Sequence, residues 1–577
     1  MLTEKETVRR QMDSLDGLWC VSHFRFSLHR PIMSVRRMFS RPKSQTDPSS
    51  NTYTAADSKG IRTSMKTLFP VILAAIVLTP IIAVAAAPQK PNILVIMADD
   101  LGYGDVSCYG TKALQTPHID RLASEGLRFT SGYCSASTCT PTRYSFLTGT
   151  YAFRRPGTGI AAPNNPAIIK PGTVTLPSLL RTAGYRTAVI GKWHLGLGGP
   201  KGPAWNADLR PGPLEIGFDH CFLLPTTNDR VPQVYVNDHR VPNLDPEDPL
   251  WVGNKKPSAS HPTGRTHRST LKMDWSHGHN GTIHNGISRI GFYTGGKTAR
   301  FRDEDLADEW VRRSVKWIEK NRDRPFFLFF SSHDLHVPRM PHERFHGKSG
   351  LGFRGDSILQ LDWCVGKLMA SLKRLELDKT TLVIFCSDNG PVLDDGYKDG
   401  AIEKLGSHRP AGPFGGGKYS VMEGGTRTPL ITRWPGTIRP GTSDKLVCTI
   451  DFAASFASMT GVPLPADACL DSLDVLKSLI GSPDAIGRKH LVQQDNGRRG
   501  NYGLRVGHWK LQRHDSRRRR NAKLRLKGRK VARYTLYRLD IDPGEKTDVL
   551  AQNREVGQTM IRQLEKLITS GRSRVSQ

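Results

Sequence analysis

The sequence predicts an α/β fold, a sheet covered on both faces by helices, followed by a smaller C-terminal unit of short strands and one helix. Continuous apolar runs recur at 91–98, 325–330 and 381–386, and each stops on polar or acidic residues. Such runs read as strands buried on both faces. Between them lie stretches with apolar residues at helical spacing. Strands alternating with helices place helices on both sides of one sheet.

Each element follows from its residues. Pro91-Asn92-Ile93-Leu94-Val95-Ile96-Met97-Ala98 is the first strand and stops at Asp99-Asp100. Leu306, Trp310, Val311, Trp317 and Ile318 define the inward face of a helix before the strand Pro325–Phe330, which ends at Ser331-Ser332-His333. Ile358, Leu361, Val365, Leu368 and Leu372 define the next helix. The strand Thr381–Cys386 follows, with Cys386 as plain core, and it stops at Ser387-Asp388-Asn389-Gly390. Near the C-terminus Arg505–Leu511 and Tyr534–Leu539 read as strands, Asp542-Pro543-Gly544-Glu545 as a turn, and Val556–Ile568 as a helix. The basic stretch Arg517–Lys530 reads as an extended loop.

At 577 residues the chain exceeds one ordinary domain and suits a large catalytic unit with appendages. With 37% hydrophobic and 24% charged residues it is no collagen, wholly disordered chain or multi-span membrane protein. Nine cysteines in such a length are no small disulfide scaffold. The net charge of +30 is concentrated at the ends: residues 488–533 carry 17 Lys/Arg against two Asp, and residues 1–64 carry 11 against six acids. Such runs attract anionic partners, whether a polymer, a membrane surface or a sulfated substrate, and composition does not choose among them.

Residues 1–64 show no convincing periodicity and read as an extension outside the folded protein. Met65-Lys66-Thr67, an apolar run from Leu68 and the small-residue exit Ala83–Ala87 match a removed secretory signal over 65–87. Pro70 and Pro80 argue against a retained membrane helix. The expected address is therefore periplasmic or secreted, with Met65 as the true start. A catalytic domain over 88–488 and a smaller subdomain with the basic loop over 489–577 complete the division.

The chemistry gathers where the strands stop, the edge at which open α/β sheets bind ligands. Asp99, Asp100, Asp388 and Asn389 bring three carboxylates and an amide oxygen to two strand ends. Burying that much unpaired charge is costly. A hard divalent cation resolves it, and all-oxygen ligation favours calcium or magnesium over zinc. Five histidines, His261, His267, His277, His279 and His284, crowd a polar stretch without the spacing of a zinc site. They read as a solvated loop, at most one facing substrate. Gly415-Gly416-Gly417 lacks the residues of a phosphate loop and reads as backbone freedom that brings Lys418 into the cleft.

Cys139-Thr140-Pro141-Thr142-Arg143, followed by Leu147-Thr148-Gly149, resembles the signature of type I sulfatases. Gly191-Lys192-Trp193-His194-Leu195-Gly196 is similar to that family's second signature. His336 before Val337-Pro338, Lys418 ahead of Glu423-Gly424-Gly425, and the Asp-Asp and Ser-Asp-Asn-Gly strand ends fall in the family's order. Thr142 stands where many members have Ser. The resemblance spans Pro91 to about Lys510, and residues 201–300 and the basic tail match nothing.

The resemblance implies an alkaline-phosphatase-like mixed sheet between helices, with a small antiparallel sheet and helix at the C-terminal end. It implies hydrolysis of sulfate monoesters, aryl or carbohydrate, with one divalent ion, calcium or else magnesium, held by Asp99, Asp100, Asp388, Asn389 and residue 139. Cys139 would be oxidised to formylglycine by a maturation enzyme, and export machinery would be a second partner; no nucleic acid is expected. The hydrated aldehyde would attack sulfur through one hydroxyl and release sulfate by elimination through the other, splitting one hard step into two. Lys192 and Lys418 would steady the sulfate charge, and a protonated His336 would act as general acid toward the leaving oxygen. Arg143 would sit one helical turn beneath Cys139 and stabilise the diol, and His194 would orient the diol or assist the later elimination. Asp388 would accept the attacking hydroxyl's proton. Cys139 is then no pairing thiol, and the seven other cysteines after residue 87 cannot all pair. The alternatives are a phosphoester or phosphonate hydrolase of the same superfamily, and a non-catalytic polyanion binder.

Overall fold

Nine strands form the central sheet of the computed structural model, which describes residues 90–253, 261–495, 501–515 and 532–575. In chain order they are β1 (Asn92–Ala98), β2 (Leu127–Phe129), β3 (Arg186–Lys192), β4 (His220–Leu224), β5 (Val236–Asn237), β6 (Phe326–Ser331), β7 (Thr381–Ser387), β8 (Ile431–Arg433) and β9 (Gly441–Ser443). Their spatial order is β9-β2-β8-β7-β1-β6-β3-β4-β5. The five strands from β7 to β4 run parallel, and antiparallel neighbours flank them on either side. The described residues all lie within one unit, Ala85–Gln577. The expected signal, extension and basic loop lie outside the described residues.

Alternation along β1 explains the two-sided burial. Ile93, Val95 and Met97 point into one apolar layer, while Leu94, Ile96 and Ala98 point into the other. The first layer packs on α2 (Cys139–Thr148), α3 (Leu176–Thr182) and α7 (Phe452–Thr460). The second packs on α1 (Pro117–Ser124), α4 (Leu306–Asn321) and α5 (Gly352–Arg374). Every apolar position expected to face inward on α4 and α5 is buried. Cys386 is buried core as read, and all eight cysteines of the described residues are free.

A four-stranded antiparallel sheet follows: β10 (Leu491–Gln494), β11 (Tyr502–Val506), β12 (Trp509–Arg513) and β13 (Tyr534–Arg538). The final helix, α8 (Arg554–Thr569), covers it through Met560 and Leu564. One reading changes here. The run Arg505–Leu511 is not a single strand but a hairpin, with Val506 paired to Trp509. Gly507 turns the chain at φ 56°, a left-handed conformation that favours glycine.

Register aligns the strand ends that matter. Ala98 pairs with Ser387, Met97 with Ser331, and Ser331 with Gly191. Asp99, Asp388 and Lys192 therefore leave three parallel strands at one level.

Candidate active site

Asp99 and Asp100 follow β1 into a fully buried position. Asp99 is fixed through its backbone, its N–H donating to the Asp334 carbonyl at 2.7 Å. Asp388 N–H donates to Ala98 O at 3.0 Å, and Asp100 N–H donates to Asp388 Oδ1 at 3.3 Å. Asn389 Nδ2 donates to Asp100 Oδ1 at 2.7 Å. Four of the five residues expected at the cation, Asp99, Asp100, Asp388 and Asn389, are thus in one place.

Two oxygens there, Asp99 Oδ1 and Asn389 Oδ1, are buried without a hydrogen-bond partner. A buried orphan acceptor is costly, and two from the same oxygen-rich set fit the requirement of a hard cation. Asp99, Asp100 and His336 also present ligand atoms within 4.8 Å of one another. Burial, with Asp388 second, pushes the Asp99 carboxyl well up against the opposing pull of Lys192. Burial pushes Asp100 the same way, but Lys418, then His336 and Lys192, outweigh it and hold Asp100 below the carboxylate range.

Cys139 is the first residue of α2 and is 2% exposed. Its Sγ lies 3.2 Å from His194 Nδ1, and His194 Nε2 lies 3.2 Å from Ala161 O. The carbonyl requires a proton on Nε2, which leaves the Nδ1 lone pair facing the sulfur. Burial raises the thiol's pKa despite Lys192 and Lys418, so the unmodified side chain is a protonated, poor nucleophile. Burial, with Lys192 and Arg230, holds His194 neutral.

Arg143 does lie one turn along α2, but its hydrogen bonds go elsewhere. Nε donates to Asp388 Oδ2 at 2.9 Å, and Nη1 donates to Lys192 O and to Ser331 Oγ. It ties the ends of β3, β6 and β7 together around Asp388. Lys192 Nζ pairs with Asp99 Oδ2, and Lys418 Nζ pairs with Asp100 at 2.8 Å and Asp395 at 2.9 Å. The lysines' counter-charges are therefore partly the chain's own carboxylates.

His336 donates from Nδ1 to Val337 O at 2.7 Å. Burial, then Lys418 and Lys192, hold its pKa well below the ordinary value. That direction disfavours the protonated ring expected from the resemblance. Asp100, His194 and Tyr419 take φ of 61°, 54° and 70°, left-handed values that cost non-glycine residues about 1–3 kcal/mol each. Three such residues at one site mark it as functional.

Several site residues were not read from the sequence. Asp395 pairs with Lys418 and accepts from the Tyr419 hydroxyl at 3.0 Å. Asp229 and Arg230, beyond β4, form an ion pair at 2.8 Å, and His279 Nε2 lies 3.0 Å from Asp229. Asn228 Nδ2 donates to the carbonyls of His336 and Pro338. The signal was available: a polar run Asn228-Asp229-Arg230 follows a buried strand, as Asp99-Asp100 does. The solvated-loop reading also changes for two histidines. His279 and His284 are buried, the latter between Phe301 O at 2.7 Å and the Tyr293 hydroxyl at 2.9 Å.

Fold and site together define a hydrolase with a cation-fitting, lysine-lined anion cleft. The sulfatase family profile matches residues 91–462, and the profile "N-sulphoglucosamine sulphohydrolase, C-terminal" matches 417–572. An N-acetylgalactosamine-6-O-sulfatase of Bacteroides thetaiotaomicron is 45% identical over 486 residues, covering 84% of this chain and 94% of that protein. Human arylsulfatase A is 33% identical, covering 69% of each chain. A solved Bacteroides thetaiotaomicron structure from work on metabolism of multiple glycosaminoglycans, labelled 6S-sulf, superposes with a TM-score of 0.80 at 45% identity. It covers 83% of this chain and all of that one. The chain belongs to the sulfatase family, is a sulfuric ester hydrolase, and has the alkaline-phosphatase-like fold expected.

Proposed function

We propose that the protein removes a 6-O-sulfate from an N-acetylgalactosamine-type sugar, as an exported enzyme carrying formylglycine at position 139 and one calcium ion. The observation that carries the reading is the convergence of Cys139, Lys192, Lys418 and His336 on a buried set of carboxylates. The sugar rests on the relative that is 45% identical along nearly its whole length. The signal-like run before residue 88 supports export, through a secretion apparatus, to the periplasm or the exterior.

Asp99, Asp100, Asp388 and Asn389 would hold the cation, which supplies Lewis acidity toward sulfate oxygens. An aldehyde at position 139, made by a cysteine-oxidising maturation enzyme, would supply a hydrated nucleophile in place of a thiol. The neighbouring residues then have defined tasks. His194 Nδ1 presents a lone pair to the side chain at 139 and can take a proton from it. Lys192 and Lys418 offer fixed positive charge where the sulfate anion sits, preorganised by Asp99, Asp100 and Asp395. The anion's charge raises the proton affinity of His336, which then protonates the departing sugar oxygen. Arg143 pairs with Asp388 at 2.8 Å and fixes the orientation of its carboxylate.

Sulfate release is tested on 6-O- and 4-O-sulfated N-acetylgalactosamine, a sulfated polysaccharide, an aryl sulfate and an aryl phosphate, using protein matured by a cysteine-oxidising host. Fastest release from the 6-O-sulfated sugar is expected. Preference for the 4-O isomer overturns the substrate, and faster phosphate turnover overturns the sulfatase assignment.

A further inference from the structure

The loop that carries Lys418 ends in a buried charge cluster that the chemistry above does not use. Glu423 opens the one-turn helix α6 (Glu423–Thr426) and is fully buried. Its partners come from the C-terminal sheet and the turn beyond it. Lys510 Nζ, on β12, donates to Glu423 Oε1 at 2.8 Å, and Glu423 N–H donates to Glu545 Oε2 at 2.6 Å. Gln512 donates to Glu545 Oε1 at 2.6 Å, and Gln493 on β10 donates to Thr426 Oγ1 at 2.6 Å. From the catalytic side, the Tyr133 hydroxyl donates to Glu423 Oε2 and Arg427 flanks it at 3.4 Å.

The same turn reaches the cleft by backbone contacts. Gly390, next to Asn389, donates its N–H to Gly425 O at 2.9 Å. Lys418 N–H donates to Pro391 O and Tyr419 N–H donates to Ser137 O, both at 2.9 Å. Gly424 N–H donates to Gly415 O at 2.8 Å, which closes the loop on itself. At Gly415 a Cβ would lie 2.4 Å from Gly544 O, so only glycine allows the Glu545 turn to press on the loop this closely. Lys510 and Glu545 thus reach the loop that carries Lys418 through the Glu423 turn.

We propose that Lys510 and Glu545 are positioning residues, through which the C-terminal sheet holds the Glu423 turn and so sets Lys418 against Asp100 and Asp395. Burial with unequal pairing distributes charge in the cluster: Lys510, then Arg505 and Arg427, outweigh burial and keep Glu423 ionised, while burial leaves Glu545 raised. Lys510 is therefore the cation that fixes the turn. The inference rests on the sulfatase reading and on Lys418 contacting the sulfate.

The test is a double-mutant cycle of Lys510→Met with Lys418→Met in the full-length matured enzyme. Sulfate release from the 6-O-sulfated sugar is measured beside thermal unfolding and the formylglycine content at residue 139. A small displacement of a charge at the reacting group costs on the order of 100-fold. Lys510→Met is expected to lower kcat/KM by about that factor in the parent, and by less than threefold once Lys418 is already Met. Losses that multiply in the double variant, or a folded Lys510→Met enzyme with unchanged kinetics, overturn the proposal. Should Lys510→Met fail to fold, Glu423→Gln/Lys510→Met removes both charges and leaves Glu423 no buried lone carboxylate. That pair is expected to fold and to show the same non-additivity with Lys418→Met, and multiplicative losses there overturn the proposal equally. An inactive wild type sinks the sulfatase reading instead, so the two failures are distinguishable.

Discussion

Stripping divalent cations from the protein is expected to lower kcat/KM by at least on the order of 10³-fold. Around the cleft stand four buried carboxylates, Asp99, Asp100, Asp388 and Asp395, against three cations, Lys192, Lys418 and Arg143. Counted as ionised, that set carries one net negative charge and repels a sulfate monoester. A divalent ion turns it to one net positive charge, so the ester meets attraction. Unit charges about 4 Å apart at an effective dielectric near 20 interact by roughly 4 kcal/mol. Reversing the sign of such an interaction, even half realised, is worth about 4 kcal/mol, or three powers of ten. The assay is initial rates of sulfate release after chelation and dialysis, then with calcium or magnesium added back, and with ion content measured on the same samples. Full activity in protein holding less than about a tenth of an ion per chain would refute the charge argument. So would failure of either ion to restore the rate in protein that remains folded.

Cys139→Ala is expected to abolish turnover, by on the order of 10⁴-fold or more, while a sulfated sugar still binds; a polyanion binder would lose nothing, and calorimetry beside the rate assay separates them. The His284 imidazole gives a pH signature in stability. Burial, opposed by Asp303, lowers its pKa to about 4 from 6.5. Between those values the unfolded chain binds the proton and the folded one does not. Stability therefore falls as pH drops from 6.5 to about 4, by roughly 3 kcal/mol from this group. Denaturant midpoints across that window should fall less steeply for His284→Gln, and an identical slope would contradict the assignment.

The sheet and its acids were legible because each chemical residue directly follows an apolar run, where sequence order and spatial position coincide. Asp99 and Asp388 needed only the rule that ligands gather where parallel strands end, whereas Lys192 was reached only through the family resemblance, because no strand was read before it. The hairpin at Gly507 was missed because two strands and a tight turn give the same composition as one longer strand. His279 and His284 were misread because the groups that bury them, Asp229, Tyr293 and Phe301, are not neighbours in any periodic pattern. Arg143 shows the same limit at closer range. Helical spacing placed its backbone, but only the packed strands reveal that its guanidinium serves Asp388. The lowered pKa of His336 comes from burial first and then from two lysines on separate elements, which no spacing rule brings together.

The groups proposed to break the S–O bond come from strand ends, from the start of α2 and from the loop of Lys418, whereas Asp229, Arg230 and His279 come from the long segment between β4 and β6. One stretch of the gene thus supplies site residues apart from the nucleophile and the cation set, yet reaches the proposed general acid, because Asn228 donates to the His336 carbonyl. Grafting residues 225–300 from a relative should therefore alter the rate of the chemical step itself unless Asn228, Asp229 and Arg230 are kept.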